Sequence, residues 1–133
     1  MIRIKEIDAL NILDVCELTT NKDGTCMAIE GNFCCNAVCI AKSKYNSEIY
    51  TNAIYNNNVI IGFFMYERKE ELAETAMIYR FMIDDRFKHK RLEEKALEYI
   101  LRGLKIQGVR RVILAIDNAD ENAKNLYLSF GFQ

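Results

Sequence analysis

The chain has 133 residues, half of them apolar and 28% charged, with a net charge of −1. That length holds one domain around one core, and near neutrality excludes the broad basic field of a nucleic-acid binder. The longest uncharged run, Ile49–Tyr66, is interrupted by Thr51, Asn52 and Asn56–Asn58, which excludes a membrane span. The opening MIRIKEIDAL has no apolar signal-peptide stretch, and this points to the cytoplasm.

Ile2–Glu6 alternates and predicts a first strand. Asp8–Leu18 carries Leu10, Leu13 and Cys16 at helical spacing and predicts a helix, followed by a polar turn over Thr19–Gly24. Asn32–Tyr45 predicts a second helix with Cys34, Ala37, Val38 and Ala41 on one side. The cysteines, Cys16, Cys26, Cys34, Cys35 and Cys39, are odd in number and form no CxxC pair. The only histidine, His89, is far from them, so they read as small buried apolar residues in a reducing compartment, with no metal site. Glu48–Tyr55 and Val59–Glu67 are β-rich runs joined by Asn56-Asn57-Asn58. Asparagine tolerates positive φ, so the pair reads as a hairpin. After a charged loop, Lys69–Glu74, comes a long apolar strand, Thr75–Asp84, expected at the centre of the sheet.

Arg91–Gln107 has a wide apolar stripe of Leu92, Ala96, Leu97, Ile100, Leu101 and Leu104 and predicts a helix that stops at Gly108. Val112–Ile116 reads as a buried strand. Asp117–Asp120 is a polar break. The last helix carries Ala123, Leu126, Tyr127 and Phe130, with Asp120 as its N-cap and Gly131 as its stop. The order βααβββαβα describes a mixed α/β domain.

The closing pattern N/D-x-x-A-x-x-L-Y-x-x-x-G-F resembles the last motif of the GCN5-related N-acetyltransferases (GNAT), an acyl-CoA-dependent family that acetylates amines. The stretches Val59–Glu67 and Ile78–Phe87 are similar to its bacterial spermine/spermidine branch, and Gly31–Asn46 is compatible with that branch's substrate-side helix. The resemblance covers residues 1–133 as one domain. It implies the acyl-CoA N-acyltransferase fold, a mostly antiparallel central sheet flanked by helices. It implies acetyl-CoA as co-substrate and a small primary amine, spermidine or spermine, as acceptor, with neither nucleic acid nor membrane as partner. Tyr127 falls where the family's tyrosine protonates the departing thiolate. Phe81, Met82 and Ile83 fall on the strand whose backbone pairs with the pantetheine arm. The pyrophosphate would meet the amides of the following helix, at Lys88, His89, Lys90, Arg91, Leu92 and Glu93.

Three departures go with the resemblance. The family's loop is Q/R-x-x-G-x-G/A, and here Arg91 and Glu93 fill the glycine positions, so a Cβ and a carboxylate stand near the phosphates. Losing two hydrogen bonds to a charged group, at roughly 1.5–3 kcal/mol each, predicts acetyl-CoA binding about 10²- to 10⁴-fold weaker. The run Lys88–Arg91 could supply side-chain phosphate ligands instead. Asp120, a candidate cofactor contact, stands where the family has an asparagine that can donate. The chain stops at Gln133, where relatives add a strand. The expectation is a last strand missing and an open edge along Val112–Ile116. Such an edge pairs with other chains, so a two-fold homodimer is expected unless Gly24–Cys34 covers it.

A free alkyl amine has a pKa of about 10, so a base must take its proton. Asp84, Asp117 and Glu74 are candidates, since the position where some relatives carry a glutamate is near Met77. Arg80, inside an apolar strand, must be paired or line the cleft. Tyr79 and Tyr66 are candidates for an aromatic wall around a cationic acceptor. The residues leave two further readings open: a non-catalytic binding or regulatory module of this fold, and a cysteine-based redox or metal protein.

Overall fold

The computed structural model describes residues 1–21, 29–30, 33–115 and 121–132. Its elements, in chain order, are β1 (Ile2–Glu6), α1 (Ile12–Glu17), β2 (Ile29–Glu30), β3 (Phe33–Cys34), α2 (Asn36–Ser43), β4 (Ile49–Asn56), β5 (Val59–Glu67), β6 (Thr75–Ile83), α3 (Lys90–Ile106), β7 (Arg111–Leu114) and α4 (Glu121–Ser129). A five-stranded sheet has the order β1-β4-β5-β6-β7. Its pairs are antiparallel except β6 with β7, which is parallel. Parallel neighbours need a crossover, and α3 supplies it. β2 and β3 form a separate two-stranded ribbon that the expected order lacked.

The helix stripe expected in α3 is the one that packs. Ala96, Leu97, Ile100 and Leu104 are buried, and a core with Ile54, Ile61, Phe64 and Ile78 lies between α3 and the sheet. Each fully buried Leu or Ile contributes about 1.5–3 kcal/mol. On the opposite face Val15 and Leu18 of the α1 region and Cys39 of α2 pack against Ala53, Phe63, Met65 and Met82. The β4–β5 turn is the asparagine hairpin, with Asn57 at φ 58°. Gly62 is the point of closest strand approach: a Cβ there would lie 2.3 Å from the Met82 carbonyl oxygen.

Several expectations need correction. The first helix begins four residues late. Asp8 Oδ1 accepts the Leu10 and Asn11 N–H groups, both at 2.9 Å, and the Ile12 N–H donates to the Asp8 carbonyl at 3.0 Å, so residues 9–11 form a capped turn that leads into the helix. Leu10 and Leu13, expected on the apolar face, are 92% and 76% exposed. The second helix begins at Asn36, because Phe33–Cys34 pair with β2 and Cys35 is the extended N-cap. Its buried positions are Asn36 and Cys39, while Ala37 and Ala41 are exposed. The middle strand is β5, not β6. The charged loop before β6 contains a short 3₁₀ turn, Glu70–Leu72. β7 is not a buried strand: Arg111 and Ile113 are exposed, Val112 and Leu114 half-buried, and among the described residues it pairs only with β6.

Candidate active site

β6 and β7 are a parallel pair at one edge of the five-stranded sheet. Their pairing runs from Thr75–Arg111 to Ile78–Leu114, and the Ala115 N–H then donates to the Ile78 carbonyl at 3.0 Å. The next residue, Tyr79, is a bulge: Tyr66 pairs with Ile78 and Met65 with Arg80, so Tyr79 has no opposite number. A bulge bends its strand and raises the local twist. Here it follows directly on Ile78–Leu114, the last β6–β7 pair among the described residues. Beyond it, Phe81, Met82 and Ile83 pair with β5 on one edge and have no ladder partner on the other among the described residues. Residues 116–120, which would continue β7 in that register, lie outside the described residues.

The loop after β6 is held by Asp84, which is 2% exposed. Its carboxylate accepts the Thr19 N–H at 2.9 Å, the Arg86 N–H at 2.9 Å and Arg86 Nε at 2.8 Å. Burial pushes this carboxyl up, but the Arg86 and Thr19 hydrogen bonds outweigh it and leave the pKa below the ordinary carboxylate range. Asp84 is therefore a loop clamp and a poor base, which removes one of the three candidates. Glu74 fails for another reason. It is exposed and precedes β6, at the opposite end of that strand from Phe81–Ile83, where its carbonyl accepts the Arg110 and Arg111 N–H groups. Asp117 and Asp120 lie outside the described residues.

α3 starts at Lys90, and His89 is its N-cap: the imidazole Nδ1 accepts the Arg91 N–H at 3.2 Å. The Glu93 N–H donates to the His89 carbonyl at 3.0 Å. The helix N-terminus expected to meet the pyrophosphate is thus present, but a ring nitrogen occupies one of its amides. Lys88 and Arg91 are exposed beside it, and Leu92 and Glu93 are half-buried.

Tyr127 sits on the α3 side of the sheet, in a buried cluster with Leu97 and Leu126 that borders Phe81, Leu101, Leu114, Phe130 and Phe132. The G-F of the closing motif has a structural meaning. Gly131 adopts φ 90°, its N–H donates to the Leu128 carbonyl at 3.0 Å, and the Phe132 N–H donates to the Tyr127 carbonyl at 3.3 Å. This ends α4 and stands the Phe132 ring edge-on to Tyr127, centroids 6.1 Å apart.

The opposite face carries groups that the sequence reading did not assemble. Arg80 is 5% exposed and donates from Nε to Asn36 Oδ1 at 2.8 Å, while Asn36 Nδ2 donates to the Val15 carbonyl at 2.9 Å. The buried arginine is thus paired, not lining a wall. Tyr79 packs on this face and donates from its hydroxyl to Glu67 Oε1 at 3.1 Å. Asn46 Nδ2 donates to Glu67 Oε2 at 3.2 Å. Burial, then the Glu67 hydrogen bond and charge, push the Tyr79 hydroxyl up. Tyr66 points to the other face, stacked between Tyr50 and Phe64. The two tyrosines expected to form one wall are therefore separated by the sheet. Glu67 gave one faint signal in the sequence, a carboxylate that closes an otherwise apolar strand.

Among the described residues no group of His, Cys, Asp and Glu could hold a metal ion, and no helix is long and apolar enough to cross a membrane. Cys35 and Cys39 are buried, and burial together with nearby Cys35 pushes the Cys16 thiol up.

A mixed five-stranded sheet flanked by helices, with a braced tyrosine on the α3 side, has the architecture of an acyltransferase-type domain. The sequence matches the Acetyltransferase (GNAT) family over residues 17–132, and the chain belongs to that family. Acetyl-CoA is the co-substrate this membership implies. Among solved structures, the ribosomal-protein-S18-alanine N-acetyltransferase of Escherichia coli superposes with a TM-score of 0.74 at 16% identity, over 100% of this chain and 78% of that one. The PaiA N-acetyltransferase of Thermoplasma acidophilum, solved with coenzyme A, gives 0.69 at 16% identity, over 100% and 90%. The Bacillus subtilis protein YycN gives 0.63 at 20% identity, and the match spans 71% of this chain and 65% of YycN. A comparison with curated protein sequences gives no match.

Proposed function

We propose that the chain transfers an acetyl group from acetyl-CoA to a primary amine of a small polyamine-like acceptor such as spermidine or spermine, in the cytoplasm. The observation that carries this reading is the Tyr79 bulge at the last β6–β7 pair among the described residues, with Tyr127 and Phe81 at one apolar cluster on the α3 side. The backbone of Phe81, Met82 and Ile83 takes the pantetheine arm as an added strand. The amides at the start of α3 take the pyrophosphate, together with Lys88, His89, Lys90 and Arg91, while Leu92 and Glu93 border it. Asp120 is the remaining contact proposed for the cofactor.

The acceptor's neutral amine attacks the thioester carbon, so that a C–N bond forms and the C–S bond breaks. Tyr127 gives its proton to the leaving sulfur. Calorimetry with acetyl-CoA tests binding, and an amine panel with thiol detection tests transfer. A preference for peptides or neutral amines would remove the polyamine assignment.

One observation favours the rival reading of a non-catalytic binding or regulatory module. Arg91 and Glu93 fill the glycine positions, and His89 Nδ1 already occupies the Arg91 N–H. Absence of acetyl-CoA binding at millimolar concentration would favour that module. We also infer a two-fold dimer through β7, whose outer edge has no partner among the described residues. Sedimentation at several concentrations tests it, and a strict monomer would reject it.

A further inference from the structure

We propose that Glu67 is the subsite for the acceptor's ammonium group, with Tyr79 and Asn46 holding its carboxylate in place. The proposal rests on the acetyltransferase reading for its purpose, but its binding chemistry can be tested apart from it.

Both carboxylate oxygens are oriented, and by neutral donors: Tyr79 holds Oε1 at 3.1 Å and Asn46 holds Oε2 at 3.2 Å. Glu67 is half-buried and has no cationic partner among the described residues. Arg80, the buried cation nearest in the strand register, directs its Nε to Asn36. A half-buried carboxylate with ordered oxygens and no counter-charge is a place where an external cation gains most. Each oxygen keeps a lone pair for a further donor, and an alkylammonium has three N–H groups to offer.

Location gives the cation its meaning. Glu67 lies opposite Ile49 in β4 and Met77 in β6. Residues directly opposite in a ladder share a face, and Ile49 packs with the α1–α2 core, as Tyr79 does. Tyr79 is itself the bulged residue, next to Ile78–Leu114, the last β6–β7 pair among the described residues. Glu67 is thus tied through one side chain to the bulge that precedes Phe81–Ile83. Tyr127 is on the α3 side of the sheet. An amine held at Glu67 lies on the α1–α2 face of the sheet, and the sulfur leaves toward Tyr127 on the other. The ammonium's first proton passes to the Glu67 carboxylate, forming O–H as N–H breaks, and from there to solvent. The nitrogen's second proton replaces the one that Tyr127 has given to sulfur. The net change is one proton released per acetyl group moved.

Titrating the full chain with spermidine, and separately with acetyl-CoA, tests the proposal without turnover. Wild-type protein should bind spermidine, and Glu67→Gln, which keeps shape and removes charge, should weaken it roughly 10- to 100-fold. Acetyl-CoA affinity should be unchanged in the same variant. Should Glu67→Gln not fold, Glu67→Asp keeps the charge but shifts it by one methylene, and a loss of at least threefold is expected. Spermidine affinity within threefold of wild type in the folded Gln variant, or no spermidine binding by wild type, overturns the subsite. Loss of acetyl-CoA binding in wild type would instead strike the acetyltransferase reading and leave the spermidine result to decide Glu67.

Discussion

The two C-terminal helices end in the same way, and only one of the two ends braces the tyrosine proposed as the acid. In α3, Gly108 takes φ 96°, its N–H donates to the Lys105 carbonyl at 3.1 Å, and the Val109 N–H donates to the Leu104 carbonyl at 3.0 Å. In α4, Gly131, Leu128, Phe132 and Tyr127 repeat that arrangement. The residue after the glycine packs back on the helix in both. In α3 it is buried Val109 in the same core as Leu104, and in α4 it is Phe132 against Tyr127. The backbone chemistry is identical and serves only to stop a helix. What distinguishes α4 is the side chain at the braced position and the strand edge it faces. The α3 stop is instead fastened to the loop before β6, through Arg68 Nη2 to the Gln107 carbonyl at 3.0 Å and Nε to the Ala73 carbonyl at 2.6 Å.

The equivalent residues give the sharpest test of this difference. Tyr127→Phe should lower kcat by roughly 10²-fold or more while the thermal midpoint stays put, since the ring and its contact with Phe132 remain. Leu104→Ala, at the matching place in α3, should do the reverse. It should cost about 2–5 kcal/mol of stability with kcat unchanged in the folded fraction. Turnover at the wild-type rate in Tyr127→Phe would remove its assignment as the acid.

Much of this arrangement is legible in the sequence, and the failures have physical causes. Gly108 and Gly131 announce both helix ends because positive φ is nearly theirs alone. The α3 stripe is legible because an apolar face packs on one surface. α1 misleads because its buried positions are Val15 and Leu18, so that the capped turn at Asp8–Asn11 leaves Leu10 and Leu13 outside. The bulge at Tyr79 leaves no mark on composition, yet it decides that Tyr79 and Arg80 share a face and that Tyr66 does not join them. Glu67, Asn46 and Tyr79 come from two strands and the turn before β4, so only the folded chain brings them together.

The entrance to α3 is closed by charge rather than by glycine, which extends the comparison to a third turn. Asp84 has a pKa depressed in the folded chain, below an unfolded value of about 3.9. Its contribution is therefore present above that unfolded value and lost as pH falls through the lower folded value. Asp84→Asn should cost about 1–3 kcal/mol at pH 7. The gap from wild type should shrink in urea unfolding below about pH 4. A gap independent of pH would mean that shape, not charge, holds the loop.

At the same entrance, replacing Arg91 and Glu93 together with glycine should tighten acetyl-CoA by a decade or more, about 1.4 kcal/mol. The variant opens the amides and removes a carboxylate, at some cost in helix propensity. Calorimetry on the pair decides it. Unchanged affinity would show that these side chains do not limit the site, and would leave the His89 cap as the competitor for the Arg91 N–H.

The smallest effect, and the cleanest, comes from the glycines themselves. Both sit at positive φ, and neither is crowded: a Cβ at Gly131 would meet nothing within 4 Å, and one at Gly108 only Arg68 Nη2 at 3.6 Å. Alanine at either position therefore adds backbone strain alone, about 1–2 kcal/mol. Gly108→Ala and Gly131→Ala should lower the thermal midpoint by similar amounts, a few degrees for a domain of this size. Their kinetics should differ. Relief of strain at residue 131 turns the Phe132 ring away from Tyr127, so kcat should fall several-fold. The same relief at residue 108 shifts Val109 and Leu104, which touch no reacting atom. Equal loss of kcat in both would mean that α4 responds to global stability rather than to its own brace. Unchanged kcat in both would mean that Tyr127 is held by Leu97 and Phe81, and that the G-F pair ends a helix and does nothing more.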